Sequence, residues 1–122
     1  MNPNDPRLKI EPRYTSINPE KEAEFTGKLK TIVLKHCKPF NCRVFLFGSR
    51  VTGPVKRSSD FDIGIRGLGE DDFRHVKDKI VEEAEEANIL HDVDVVNFDT
   101  LEEPMLSHAA QAVEVWKDWD EK

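Results

Sequence analysis

The stretch GSRVTGPVKRSSDFDIGI, residues 48–65, decides how this chain folds. It begins where a short apolar run, CRVFLF at residues 42–47, is stopped by Gly48 and Ser49. Aromatic and β-branched residues in so short a run mark a strand buried on both faces. Ten residues, most of them polar or turn-forming, separate Ser49 from Asp60, Gly53 and Pro54 among them. From Asp60 to Arg66 the chain then alternates: Phe61, Ile63 and Ile65 point one way, and Asp60, Asp62 and Gly64 point the other. That period of two is the mark of a strand with one buried face.

A D-x-D pair alone carries little weight. The chain holds 11 aspartates and three such pairs, Asp60 with Asp62, Asp92 with Asp94 and Asp118 with Asp120. Gly-Ser closing one strand, with D-x-D opening the next at this fixed distance, would arise by chance roughly 0.002 times in a chain of this composition. Two carboxylates two residues apart on a strand project from one face about 7 Å apart, close enough to share divalent cations. Such oxygen donors suit magnesium or manganese rather than zinc. A third carboxylate from a neighbouring strand would complete a two-metal site. Asp94, in HDVDVVNF at residues 91–98, is the candidate: Val93, Val95 and Val96 bury its part of the strand, whereas Asp92 lies nearer the start. Gly48 lets a backbone approach phosphate closely, and Ser49 adds a hydroxyl at the start of a short helix. Arg50, Lys56 and Arg57, in the same connection, are the cations available to β- and γ-phosphates.

Outward from this centre, Asn18 can cap a helix and Pro19 suits its first position, and Phe25, Leu29, Ile32, Val33 and His36 recur at helical spacing up to about Cys37. A second amphipathic helix over residues 70–88 opens on Glu70, Asp71 and Asp72 and aligns Phe73, Val76, Ile80, Ala84 and Ala87. Its Glu82, Glu83, Glu85 and Glu86 form a solvated face. A short helix over 100–110 and a last strand over 112–116 complete the order αβ(loop)βαβαβ. Residues 1–17 carry three prolines and read as an extended arm, leaving 18–122 as one α/β domain. A small mixed sheet is expected, covered on one face by the two long helices, with the carboxylates on its open face.

Composition sets the outer limits. The 122 residues fit a single domain and leave no room for a second, substrate-holding one. Eighteen basic against 24 acidic residues give a net charge of −6, which opposes direct nucleic-acid binding and favours a basic protein partner. No apolar run suits a membrane span and the amino terminus lacks a signal-peptide pattern, so a cytoplasmic location is expected. Cys37 and Cys42 fit no zinc spacing and read as reduced thiols near the core.

The residues also resemble a known family. GSRVTGPVKRSSDFDIGI, followed by DVDVV at 92–96, is similar to the minimal nucleotidyltransferases of the DNA-polymerase-β-like superfamily, over roughly residues 20–117. The match falls at Gly48, Ser49, Asp60, Asp62 and Asp94, with departures at Pro54 and Val55 and at Ala109–Gln111, where relatives often have glycine. The resemblance implies a palm-like fold in which the three carboxylates bind two Mg²⁺ ions and an NTP whose phosphates the serine contacts. The implied activity is transfer of NMP to a hydroxyl acceptor with release of pyrophosphate. Small members are commonly antitoxins of helical HEPN-type ribonuclease toxins, and some silence the toxin by adding AMP to a tyrosine. Two other functions stay open: a catalytically silent module that neutralises a partner by occlusion, and the catalytic subunit of a split small-molecule nucleotidyltransferase.

The remaining residues take plainer readings. His91 is placed as an exposed histidine at a strand end, and His36, His75 and His108 as surface or boundary groups. Phe45, Phe47 and Phe61 are core rather than nucleotide-stacking groups. Trp116 and Trp119 cover the end of the sheet, and Asp118 and Asp120 belong to a charged tail.

Overall fold

In the computed structural model, residues 19–52, 60–89 and 91–120 are described, with the backbone alone at residues 19, 49 and 52. The expected arm at 1–17, and Lys56 and Arg57 in the connecting loop, lie outside the described residues.

Helix α1 spans Pro19–Cys37, with Glu20 and Glu22 in its first turn and Lys35 and His36 in its last, the distribution that complements a helix dipole. Strand β1 is Arg43–Phe47, followed directly by a single helical turn, α2, at Ser49–Thr52. Strand β2, Phe61–Arg66, leads into helix α3, Glu70–Glu86, capped by Ala87 and followed by Asn88 with a left-handed φ of 58°. Strand β3 is Val93–Asn97, helix α4 is Met105–Ala109 and strand β4 is Glu114–Lys117. The last helix is shorter than its sequence pattern suggests because Pro104 disfavours helical backbone in the residue before it. The last strand lies two residues later than expected at its start, and β3 is trimmed at both ends.

The four strands form one mixed sheet in the order β3-β2-β1-β4. Strand β1 runs antiparallel to both neighbours, while β2 and β3 are parallel and joined by α3 as a crossover. Val44, Leu46, Phe61, Ile63, Ile65 and Val95 point to one face. There they meet Phe25, Leu29, Ile32 and Val33 of α1 and Val76, Ile80 and Ala84 of α3. Each such side chain, fully buried, contributes about 1.5–3 kcal/mol to the driving force for folding. Cys37 and Cys42 are free thiols inside this core. At the helix–helix seam Glu83 of α3 receives both Lys35 Nζ at 2.9 Å and His36 Nε2 at 2.8 Å, so this member of the acidic run bridges the helices.

The opposite face is not bare. Phe45, Phe47 and Phe98 cluster there edge to face, with ring centroids 4.7 Å apart for Phe45 and Phe98 and 4.9 Å for Phe47 and Phe98. Phe61 belongs to the helix-side core and Phe45 is buried as expected, Phe45 and Phe47 lying on the carboxylate side of the sheet. Gly64 makes this cluster possible: a Cβ there would stand 2.7 Å from Phe45 Cζ and 2.8 Å from Phe98 Cε1. Among the described residues no helix is long and apolar enough to cross a membrane.

Candidate functional site

The parallel pairing of β2 with β3 brings Asp62 level with Asp94. Both face away from the helix-side core, because their neighbours Phe61, Ile63 and Val95 occupy it. Asp60 stands one residue before β2 and is exposed, as is Asp94, while Asp62 is partly buried. Burial raises the pKa of the Asp62 carboxyl, and the charges of Asp94 and then Asp60 raise it further, against a smaller opposing effect of Arg50. The charges of Asp94 and Asp60 thus both reach Asp62. Asp92 lies outside this grouping: it precedes β3, and its carbonyl accepts the Phe61 N–H at 2.9 Å.

The Gly48 turn closes over Asp62 from the side of β1. Gly48 has a left-handed φ of 83°, and a Cβ on it would collide with the Asp62 carboxylate. The turn continues at once into α2, whose Val51 N–H donates to the Gly48 carbonyl at 3.0 Å. A glycine is thus required twice over here, by backbone conformation and by the approach of a carboxylate. The Ser49 side chain lies outside the described residues, so its expected phosphate contact stays an expectation.

Arg50 departs from its expected role as a phosphate contact. Its side chain is only 4% exposed and turns into the protein, where Nη1 donates to Glu22 Oε1 at 2.9 Å. Its Nε donates to the Asp60 carbonyl at 3.2 Å, and the guanidinium lies over the Phe61 ring, 3.8 Å from its centroid. A planar cation that both stacks and forks its hydrogen bonds suits this enclosed place better than open solvent. His91 departs as well. Rather than an exposed strand end, it is 9% exposed, holds Nε2 at 3.1 Å from Glu22 Oε2, and packs edge-on against Phe25 and Phe61. Burial acts to raise the Glu22 carboxyl, but the hydrogen bonds and charges of Arg50 and His91 outweigh it and hold it below its ordinary range. Sequence reasoning missed Glu22, which sits 28 residues from Arg50 and 69 from His91, beyond any local spacing rule.

Among the described residues, no group of three or more His, Cys, Asp or Glu side chains is gathered closely enough to hold a metal ion as it stands. The donor chemistry is nevertheless of the kind a hard divalent cation takes: Asp62 and Asp94 are level on one face of the sheet, and burial, then the charges of Asp94 and Asp60, disfavour ionisation of Asp62. Of the expected residues, Asp62 and Asp94 are level, Asp60 lies near enough for its charge to act on Asp62, Gly48 is placed against Asp62, and Arg50 is turned to Glu22.

Comparison with curated proteins finds no match. The family description polymerase beta, nucleotidyltransferase matches residues 17–121, most of the chain. The chain belongs to the polymerase beta nucleotidyltransferase family.

Proposed function

We propose that this protein is a Mg²⁺-dependent nucleotidyltransferase that moves AMP from ATP to a hydroxyl on a partner protein, as the antitoxin of a HEPN-type ribonuclease toxin. The observation that carries the reading is the level pairing of Asp62 with Asp94 on parallel strands, with the Gly48 backbone against Asp62. Asp60, Asp62 and Asp94 would hold two magnesium ions, or manganese, which when bound neutralise the triphosphate and sharpen the attacking oxygen. The chain's own residues supply the rest. The Gly48–Ser49 turn offers backbone that phosphate can approach, and Asp94, exposed at the edge of the sheet, is open to accept the proton of the acceptor hydroxyl. The acceptor oxygen bonds the α-phosphorus, the bond from that phosphorus to the β-bridging oxygen breaks, and pyrophosphate leaves with its electron pair. A net charge of −6 favours a basic partner as the bearer of that hydroxyl.

The direct test is incubation of the protein and a co-expressed partner with ATP labelled at the α-phosphate. Label is expected on the partner, none is expected from the γ-position, and Asp60→Asn with Asp62→Asn should abolish it. A second reading, neutralisation by occlusion alone, is favoured by the absence of a closed ligand set among the described side chains. Under it the double variant would still neutralise the toxin and no label would move.

A further inference from the structure

The partly buried group of Glu22, Arg50 and His91 joins α1 to the segments that carry the site without facing the carboxylates as a ligand. Glu22 belongs to α1, Arg50 to α2 directly after the Gly48 turn, and His91 to the approach to β3. Arg50 grips the Asp60 carbonyl and covers Phe61, the residue between the paired aspartates. The Phe61 ring is also in edge contact with His91, and the Phe61 N–H bonds the Asp92 carbonyl, two residues before Asp94. Among the described residues this group therefore links the turn at Gly48, the entry to β2 and the entry to β3.

We infer that Glu22 and Arg50 are positioning residues: through Phe61 and the Asp60 carbonyl they hold the Gly48 turn and the entries to β2 and β3, and with them Asp60, Asp62 and Asp94, in their relative places for a metal–triphosphate group to bind. The inference rests on the reading of those carboxylates as the metal and nucleotide site. It follows from geometry in the pair itself. Lysine could keep the charge of Arg50 but could not hold Glu22 and the Asp60 carbonyl from two separated nitrogens while lying flat on Phe61. Removing one member alone strands a buried charge, whereas removing both leaves a volume that apolar side chains can fill.

The test compares wild type with Arg50→Lys, Glu22→Gln and the double variant Glu22→Leu with Arg50→Met, each at a temperature where circular dichroism shows it folded. Two readouts are taken: amide hydrogen exchange at Val51 and Phe61, and calorimetric affinity for ATP with Mg²⁺. The expected result is at least tenfold faster exchange at those two amides in Arg50→Lys, unchanged exchange at Leu46, and at least tenfold weaker ATP affinity. The double variant, if the single ones do not fold, is expected to stay folded and show the same loss of affinity. Unchanged exchange, or ATP affinity equal to wild type in a folded variant, would overturn the positioning role. Faster exchange in the variants with no ATP binding by wild type would instead refute the reading of the carboxylates, and the positioning role with it.

Discussion

Asp62 and Glu22 sit at opposite ends of one electrostatic scale. Asp62 is raised by burial and by Asp94 and Asp60, so the folded state holds its proton more tightly than the unfolded chain does. Stability from this group is present at acid pH and lost as pH rises through its raised folded pKa. Asp62→Asn should therefore melt at a higher temperature than wild type at neutral pH, and the advantage should vanish once the pH falls below the ordinary aspartate range. Glu22 is lowered by Arg50 and His91 against the effect of burial, so its contribution has the reverse sign. It is present above the ordinary glutamate range and lost as pH falls through the lowered folded pKa. Thermal melts of Glu22→Gln should show a deficit at neutral pH that closes in acid.

Elements explain why the site took this shape and how much of it was legible beforehand. The alternation of DFDIGIR and the apolar run RVFLF are local patterns, and the strands they form lie where the patterns place them. That Asp62 and Asp94 share a face could be anticipated because Ile63 and Val95 must be buried on the other, but the register that sets them level could not, since a slip of two residues would bury the same side chains. The inward turn of Arg50 and the enclosure of His91 were not legible, since both depend on Glu22, which lies on a helix remote in sequence. The burial of Phe45 follows from an apolar strand covered on both faces, but the strand itself does not disclose that Gly64, on its neighbour, opens the space its ring takes on the second face. At the turn itself, Gly48→Ala should cost about 1–2 kcal/mol for left-handed backbone alone, with a further loss as Asp62 is displaced. In contrast, Ile80→Ala in α3 should cost about 2–5 kcal/mol through an unfilled cavity. Urea unfolding should show both losses, and ATP titration should separate them: affinity falls for Gly48→Ala and holds for folded Ile80→Ala.

At the scale of the whole molecule, one face of the sheet is closed by two helices and the other carries the carboxylates beside an aromatic cluster. The net charge of −6 sets the character of the field around that face. Duplex DNA or RNA should bind more weakly than the non-specific range of about 10⁻⁴–10⁻⁶ M at physiological salt, as fluorescence anisotropy with labelled duplexes would show. The central claim, that Asp60, Asp62 and Asp94 form a metal and nucleotide site, is tested most directly by calorimetric titration of ATP with Mg²⁺ into wild type and into Asp60→Asn with Asp62→Asn. Saturable, magnesium-dependent binding by the wild type that is lost in the folded double variant is the predicted result. No binding by the wild type, or equal binding by both proteins, would contradict it.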